Sequence, residues 1–282
     1  MSVTVFLAVL GAAFLHAAWN AVVKGGTDKR LGIGAVVLGH IPIALVCLTF
    51  VPLPAAECLP YLTAGVAIHF AYQLMLMQSY RIGDLTQVYP IARGSAPLLV
   101  ALVSVGFLGV SLSRLELLGV LIIGLGILSL ALVRRADGLR NGPAAAMALA
   151  TGVTIAAYSL VDGIGARLSG NSLAFYAWLS LINGFLMIVY LRFTAPGVIG
   201  QVLTKGRLLF VIGGGASFVA YAIATWAFTQ APIALVTALR ETSIVFALLI
   251  GVFFLKERLD LVKVASTMTT LLGVAILRLG KS

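Results

Sequence analysis

Charged side chains are scarce in this chain, and acidic ones are the scarcest. Lys and Arg together number 19, Asp and Glu number 9, and charged residues make up only 10% of the sequence. Soluble domains carry roughly a quarter charged residues, so this composition excludes an ordinary soluble globular protein. Hydrophobic residues reach 61% instead, and the mean hydropathy is +1.11. These values indicate an integral membrane protein.

Cysteine and catalytic motifs are also nearly absent. Cys47 and Cys58 show no Cys-x-x-Cys or metal-ligand spacing, which favours a packing residue and an incidental thiol. The sequence contains no Gly-x-Ser-x-Gly elbow, His-Glu-x-x-His helix or paired-carboxylate motif. The terminal Gly280-Lys-Ser282 resembles the end of a P-loop, but Ala275 stands where its first glycine is needed. We therefore expect neither an enzyme nor a bound metal or cofactor.

Long apolar runs, in contrast, recur along the whole chain, and each is long enough to cross a bilayer as a helix. Turn residues and charges separate them, and no connection is long enough for a soluble domain. The sequence predicts an all-α integral membrane protein with ten transmembrane helices. The predicted spans are residues 3–23, 32–52, 61–80, 86–108, 115–133, 144–164, 173–194, 208–229, 232–255 and 259–278.

The net charge of +10 would suggest nucleic acid as a partner of a soluble protein. Here most Lys and Arg residues fall in the short loops after spans 1, 3, 5, 7 and 9, so we expect the partner to be the lipid bilayer and no nucleic acid. The positive-inside rule then places both termini on one side of the membrane, away from the cytoplasm.

An internal repeat places two buried arginines, Arg93 and Arg240, in equivalent positions 147 residues apart. Residues 93–130 align without a gap on 240–277, and nine of those 38 positions are identical. Predicted spans and loops of the two halves occupy corresponding positions in the same alignment. Because each half has five spans, an odd number, the second half must enter the membrane upside down. This predicts two inverted five-helix repeats, residues 1–138 and 139–282, an arrangement typical of secondary transporters.

Two segments resemble a known family. They are Tyr80–Pro97, which reads YRIGDLTQVYPIARGSAP, and Phe253–Leu259, which reads FFLKERL. With the ten spans they look like the EamA-type branch of the drug/metabolite transporter superfamily. The resemblance implies a bacterial inner-membrane transporter with a central cavity lined by helices 1, 3, 4, 6, 8 and 9, and with both termini in the cytoplasm. The first half departs from the pattern, since Gly109–Leu112 replaces the Lys256–Leu259 turn and Glu257 has no counterpart.

Polar side chains form helical stripes that we expect to face this cavity. In span 1 and span 3 the same i, i+3, i+4 spacing brings nearly the same chemistry onto one helix face. Interhelical hydrogen bonding by either His is the alternative, and metal binding by the two together is not favoured, since no carboxylate or Cys accompanies them. The candidate substrate-binding residues of these two stripes are His16, Trp19, Asn20, His69, Tyr72 and Gln73.

Further candidates come from the later spans. Tyr89 precedes a proline in span 4, Tyr158 and Tyr221 are aromatic groups of spans 6 and 8, and Thr237 lies one turn before Arg240. Asp162 follows Tyr158 by one turn, and we expect a solvated helix-end carboxylate there in preference to a proton carrier. Core packing is the alternative for the aromatic residues.

Arg93, Arg240 and Glu241 carry the functional hypothesis. A charge inside a membrane costs several kcal/mol unless it meets protein or water, so such residues mark functional sites. Glu241 points away from its neighbour Arg240 around the helix and is expected to pair with Arg93 across the cavity. Static salt bridges that hold the halves together are the alternative.

The sequence therefore predicts a secondary transporter that works by alternating access. Guanidinium groups match carboxylate or phosphate, so Arg93 and Arg240 favour a small anionic or zwitterionic substrate. Glu241, and after it Asp162, are the candidates for coupling or gating by a proton. The alternatives are an uncoupled facilitator and a non-transporting membrane scaffold or accessory subunit. Glycines in span 5 suit either peripheral packing or a homodimer contact.

Overall fold

Helices make up the fold, and the described residues contain no strand. The computed structural model describes residues 1–24, 28–82, 85–129, 142–253 and 261–279, without the side chains of residues 23–24, 29, 79–82, 85–90 and 262–263. The helices are α1 Val3–Lys24, α2 Lys29–Leu48, α3 Leu59–Ile82, α4 Leu85–Gly106, α5 Arg114–Ser129, α6 Gly142–Leu168, α7 Ser172–Thr194, α8 Pro196–Val202, α9 Gly214–Gln230, α10 Ile233–Arg240, α11 Ser243–Phe253 and α12 Leu261–Leu279. A short 3₁₀ segment, Ala56–Cys58, precedes α3, and a π-helical turn, Leu209–Gly213, leads into α9.

Many of these helices are long and apolar enough to cross a membrane. Seven segments of the described chain qualify, and Ile91–Gly106 and Val264–Leu279 are shorter apolar helices. The seven are Val3–Val22, Arg30–Leu48, Ala56–Gln78, Gly142–Leu168, Ser172–Thr194, Leu209–Gln230 and Ile233–Phe253. The chain is thus a multi-pass membrane protein, and the count of ten spans stays a prediction.

The packing of the helices follows a regular scheme. Helix α3 packs against α6 and α1 packs against α9, while α2 lies on α7 and α5 on α12. If each helix is replaced by its predicted counterpart in the other half, the α3–α6 pair becomes the α9–α1 pair. The α2–α7 and α5–α12 pairs stay the same under this exchange. The predicted boundary at residues 138 and 139 lies outside the described residues, so the division into repeats stays a prediction.

Helix α2 crosses the start of α9 at a very close approach between two glycines. A Cβ atom on Gly39 would collide with the carbonyl oxygen of Phe210, and one on Gly214 would lie 2.8 Å from the Cα of Gly39. The π-helical turn immediately before α9 lies at this crossing. Only glycine on both helices permits the two backbones to come this near.

The glycines of α5 are covered within the chain. A Cβ on Gly119 would meet the carbonyl oxygen of Gly273 in α12 at 2.9 Å, and one on Gly126 would meet Thr269 at 2.6 Å. Gly124 faces Leu98 of α4. Of the two predicted uses of these glycines, the structure shows packing against neighbouring helices of the same chain, and a homodimer stays a prediction.

Arg167 fixes the end of α9. It lies in the last turn of α6, and its guanidinium donates from Nε to the carbonyl of Phe228 at 2.8 Å and from Nη2 to that of Ala231 at 2.9 Å. Carbonyls at a helix end have no partner inside their own helix, so α6 supplies donors for them. The connection to α10 is then only Ala231-Pro232, which makes α9 and α10 a tight hairpin.

Candidate functional site

A buried ion pair joins α4 to the junction of α10 and α11. Arg93 Nε donates to Glu241 Oε2 at 2.9 Å, and Arg93 Nη2 lies 3.3 Å from Ser243 Oγ. Arg93 is 5% exposed and Glu241 2%. The predicted pairing of these two side chains is therefore present in the structure. We call Arg93, Glu241 and Ser243 the ion-pair site.

The helix that carries Glu241 is interrupted at this point. The sequence predicts span 9 as one helix over 232–255, but α10 ends at Arg240 and α11 begins at Ser243. The amides of Glu241 and Thr242 donate to carbonyls only three residues back, and the Thr242 hydroxyl donates to the Leu239 carbonyl at 2.8 Å. Such local bonds tighten the turn and compete with a continuous helix. The interruption presents Glu241 and Ser243 to Arg93.

A second cluster surrounds Asp162 of α6. Its Oδ2 lies 2.6 Å from His69 Nε2 of α3, and the Tyr221 hydroxyl of α9 donates to the same oxygen at 2.6 Å. The His69 ring stacks on Tyr158 with centroids 4.2 Å apart and meets Tyr221 edge-on at 5.3 Å. We call His69, Tyr158, Asp162 and Tyr221 the Asp162 cluster.

The expectation that Asp162 is a solvated helix-end residue is wrong. Asp162 is 0% exposed and is bonded to two neighbouring helices. The sequence predicts that span 6 ends at residue 164, whereas α6 continues to Leu168, which moves the carboxylate further inside the helix. Its other oxygen, Oδ1, has no hydrogen-bond partner among the described residues, because it lies against Gly65 of α3.

Arg240 lies beside the Asp162 cluster. Its guanidinium carbon is 4.9 Å from the centroid of the Tyr221 ring, within the range of a cation–π interaction. No ion pair joins Arg240 to a carboxylate of the described residues. Arg240 is half-buried, whereas Arg93 is buried and paired. Tyr158 lies within electrostatic range of both arginines, of Asp162 and of Glu241, so the two clusters form one polar region.

The predicted stripe on α1 reaches the same region. His16 interacts electrostatically with Arg93 and Arg240. Trp19 meets the His16 ring edge-on at 5.3 Å, and Asn20 Nδ2 donates to the His16 carbonyl at 2.7 Å. The indole nitrogen of Trp19 is buried and has no partner among the described residues. The structure therefore brings His16 to the arginines, while Asn20 bonds to its own helix.

The remaining predicted residues are placed as follows. Tyr72 meets Tyr158 edge-on at 5.3 Å. Gln73 Oε1 and Thr237 Oγ1 are buried and form no hydrogen bond within the described part of the chain. Buried polar atoms without a partner are costly, so both suit a site that receives polar groups of a ligand. The side chain of Tyr89 and the whole Lys256–Leu259 turn with Glu257 lie outside the described residues.

Comparison with known families supports the sequence interpretation. Residues 142–279 match the family described as the EamA-like transporter family. The chain carries an EamA-like transporter domain. The resemblance inferred from the sequence motifs is thereby confirmed for this segment, and the EamA family is a transporter family.

The fold around this EamA-like domain also has a counterpart of known structure. One solved structure, described as "Crystal structure of protein", has a TM-score of 0.75 and 18% sequence identity. The alignment covers 99% of this chain and 98% of that chain. At this identity the likeness shows the fold alone. No curated protein matches the chain in sequence.

Sequence reasoning missed several residues of the polar region. Ser243 contacts Arg93 at the ion-pair site, and Tyr176 of α7 meets Tyr221 at 5.1 Å between ring centroids. Tyr176, Ser180 and Asn183 are all buried. Their i, i+4, i+7 spacing marks a polar stripe on span 7, which was the signal available in the sequence.

Proposed function

We propose that this chain is a secondary transporter that moves a small anionic or zwitterionic organic solute across the bacterial inner membrane by alternating access. In this scheme the two halves rock around a central site to which the substrate binds. Arg93 and Arg240 supply guanidinium donors, since their planar geometry matches carboxylate and phosphate. The aromatic side chains of the Asp162 cluster form the apolar wall beside them.

The observation that carries the proposal is the ion pair between Arg93 and Glu241 at an interrupted helix. It joins residues from the two predicted halves, and transporters bind their substrates where spanning helices are discontinuous. An anionic substrate that reaches Arg93 competes directly with Glu241 for the same donors. Opening of the pair is therefore a step that substrate binding can drive, which is what alternating access requires.

Arg240 adds a second cation without a carboxylate partner among the described residues. Its contact with the Tyr221 ring is weaker than a buried ion pair, so a substrate carboxylate or phosphate can displace it at a small cost. We assign the first contact of the substrate anion to Arg240 and the subsequent exchange of partners to Arg93 and Glu241.

Counterflow in proteoliposomes tests the proposal. Vesicles preloaded with unlabelled L-lactate, L-phenylalanine or inorganic phosphate are mixed with the same labelled compound outside. We expect exchange of at least one probe, and its loss in Arg240→Gln. Arg192, exposed near the end of α7, provides the matched control, and Arg192→Gln should exchange like the wild type. Exchange that persists in folded Arg240→Gln protein would overturn the substrate role of this residue.

A static membrane scaffold is the second candidate, because the Arg93–Glu241 pair also locks helices together. It predicts that none of the three probes exchanges or raises the melting temperature, while Arg93→Gln lowers the melting temperature. A transporter predicts exchange in the wild type. The same reconstituted preparation therefore separates the two candidates.

The orientation of the chain has two opposing indications. The Lys and Arg bias favours termini outside the cytoplasm, whereas the family resemblance implies cytoplasmic termini. Two fusions after Ser282 decide between them: alkaline phosphatase, which is active only outside the cytoplasm, and green fluorescent protein, which is fluorescent only inside it. Phosphatase activity supports the charge-based orientation, and fluorescence supports the other.

A further inference from the structure

The Asp162 cluster holds a carboxylate whose environment is incomplete. Two donors converge on Oδ2, His69 Nε2 and the Tyr221 hydroxyl, each at 2.6 Å. Oδ1 receives no hydrogen bond from any described residue, and Asp162 is 0% exposed. Leaving one oxygen of a buried carboxylate without a hydrogen bond is unfavourable. A positive charge on the His69 ring, which is bonded to the other oxygen, offsets part of this cost.

The charges of the polar region cancel when no substrate is bound. Arg93 is neutralised by Glu241 in the ion-pair site. Arg240 and Asp162 carry opposite charges and are linked through Tyr221, whose ring contacts Arg240 and whose hydroxyl donates to Asp162. With His69 neutral, the sum over these four charged residues is zero. A net charge in such a buried region is unfavourable, because desolvation of an unpaired ion is not repaid.

Binding of a monoanion at Arg240 disturbs this balance by one negative charge. The His69–Asp162 pair is linked to Arg240 through Tyr221 and can restore the balance, because an added proton makes it an imidazolium beside a carboxylate. The proton comes from the aqueous phase and adds to His69 Nδ1, since Nε2 already donates to Asp162 Oδ2, and no covalent bond to the substrate forms. A zwitterion brings no net charge and creates no such demand.

Other titratable and charged groups face the pair from the neighbouring helices. These are the other groups that a change in charge or protonation at the pair would affect. Tyr158 stacks on His69, Tyr221 bonds to Asp162, and the electrostatic range of the pair includes further side chains. These are His40 of α2, Tyr72 of α3, Tyr176 of α7, Arg240 of α10 and, through Tyr158, Arg93 and Glu241. None of the tyrosines is a proton acceptor near neutral pH, and His40 has no described carboxylate partner.

We propose that the His69–Asp162 pair is the coupling-proton site of this transporter, which carries one proton with each negative charge of its substrate in an electroneutral symport. The inference rests on the proposed function and makes it more specific. It moves the coupling role from Glu241 to Asp162 and assigns His69 to the proton instead of the substrate. Tyr221 transmits the state of the pair to Arg240.

Transport of labelled L-lactate into proteoliposomes tests the coupling. We expect an inward proton gradient to accelerate net uptake by on the order of tenfold in the wild type, a typical coupling between two ligands. A potassium diffusion potential set with valinomycin should leave the rate unchanged, because no net charge moves. Acceleration by the potential instead of the proton gradient would overturn electroneutral symport.

Variants locate the proton. His69→Gln and Asp162→Asn should lose most of the stimulation by the proton gradient, while counterflow of L-lactate falls by a smaller factor. His40→Gln is the matched control, since it removes another membrane-embedded His and should retain the stimulation. Monodisperse elution and an unshifted melting temperature of His69→Gln serve as the check that the variant is folded. Stimulation that survives in both His69→Gln and Asp162→Asn contradicts the proposal.

The outcomes keep the two proposals apart. Wild-type counterflow without any response to the proton gradient refutes the coupling site and leaves the transporter function intact. Absence of counterflow for all three probes refutes the transporter function, and the coupling site falls with it. As a second readout, ¹⁵N NMR of labelled histidine should show His69 gaining a proton when L-lactate is added at constant pH. An unchanged His69 signal, assigned by its loss in His69→Gln, contradicts the proposal.

Discussion

Two arginines occupy equivalent positions in the predicted halves and have different surroundings. Arg93 of the first half is 5% exposed and bonded to Glu241 and Ser243. Arg240 of the second half is half-buried and rests on the ring of Tyr221. One guanidinium is held by an ion pair, and the other is held by an aromatic face. Equivalent positions of the predicted repeat thus hold one guanidinium in an ion pair and the other without a carboxylate partner among the described residues.

The residue after each arginine explains the difference. Gly94 follows Arg93, and a Cβ there would meet the amide nitrogen of Leu128 at 2.9 Å and the carbonyl oxygen of Gly124 at 3.0 Å. The backbone of α5 therefore leaves no room for a side chain. Glu241, the equivalent of Gly94, lies in the interruption between α10 and α11, where its side chain reaches Arg93. Tight packing of one half confines the carboxylate to the other.

The largest effect is expected when the ion pair between Arg93 and Glu241 is broken. Glu241→Gln leaves Arg93 buried without its counter-charge, and we expect a loss of about 3–5 kcal/mol in the free energy of unfolding. Thermal and denaturant unfolding in detergent measure it. The double variant Arg93→Met/Glu241→Leu removes both charges and should recover most of the stability without recovering transport. A single variant as stable as the wild type would show that the pair is not structurally important.

The packing explanation is tested next. Gly94→Ala places a methyl group against the backbone of α5, and we expect a loss of about 1–3 kcal/mol in the free energy of unfolding, the usual cost of overpacking. Gly142→Ala is the control, because a Cβ atom at that position would meet nothing within 4 Å. Equal melting temperatures for the two variants would leave the difference between Gly94 and Glu241 without this explanation.

Arg240 should contribute less to the free energy of unfolding than the ion pair does. Arg240→Gln removes the cation from the Tyr221 ring, and we expect a loss of only about 0.5–2 kcal/mol in the free energy of unfolding. Counterflow should nevertheless be abolished, since the substrate anion loses its first contact. The ratio of lost activity to lost stability is then much larger at Arg240 than at Glu241. The reverse ratio would exchange the roles assigned to the two arginines.

The smallest effect is expected at Ser243, which contacts Arg93 beside the ion pair. Ser243→Ala removes the 3.3 Å contact with Arg93 Nη2, and we expect a loss of about 0.5–1.5 kcal/mol in the free energy of unfolding. Because the ion pair remains, counterflow should continue with a modest change in apparent affinity for the probe. A loss in the free energy of unfolding as large as that of Glu241→Gln would show that Ser243 is as important as Glu241 for holding Arg93.

Much of the outline could be predicted from apolar runs and buried charges. The Arg93–Glu241 pair was predictable because a membrane interior offers few partners to a buried cation. The bond between His69 and Asp162 was not, because helical spacing tells which residues share a face and not which helices touch. The sequence places the end of α6 four residues too early, at 164 instead of Leu168, and this error alone makes Asp162 look solvated.

The interruption at Glu241 and Thr242 also left no clear signal. Neither Pro nor Gly occurs between Ile233 and Ile250, although these are the residues that usually break a helix. The break is made by tightened backbone bonds and by the Thr242 hydroxyl, which depend on the surrounding helices. Local sequence cannot predict an interruption that tertiary contacts select.

Arg167 has a consequence for the order in which this protein is assembled. Its two bonds satisfy the last carbonyls of α9, and they exist only when α6 is already in position. A chain made from its N-terminus inserts α6 before the α9–α10 hairpin, so the donor is waiting when the hairpin arrives. The hairpin brings Tyr221 and Arg240 together in one step. During insertion, Tyr221 and Arg240 therefore reach their positions together. Asp162, which lies on α6, is already in place at that point.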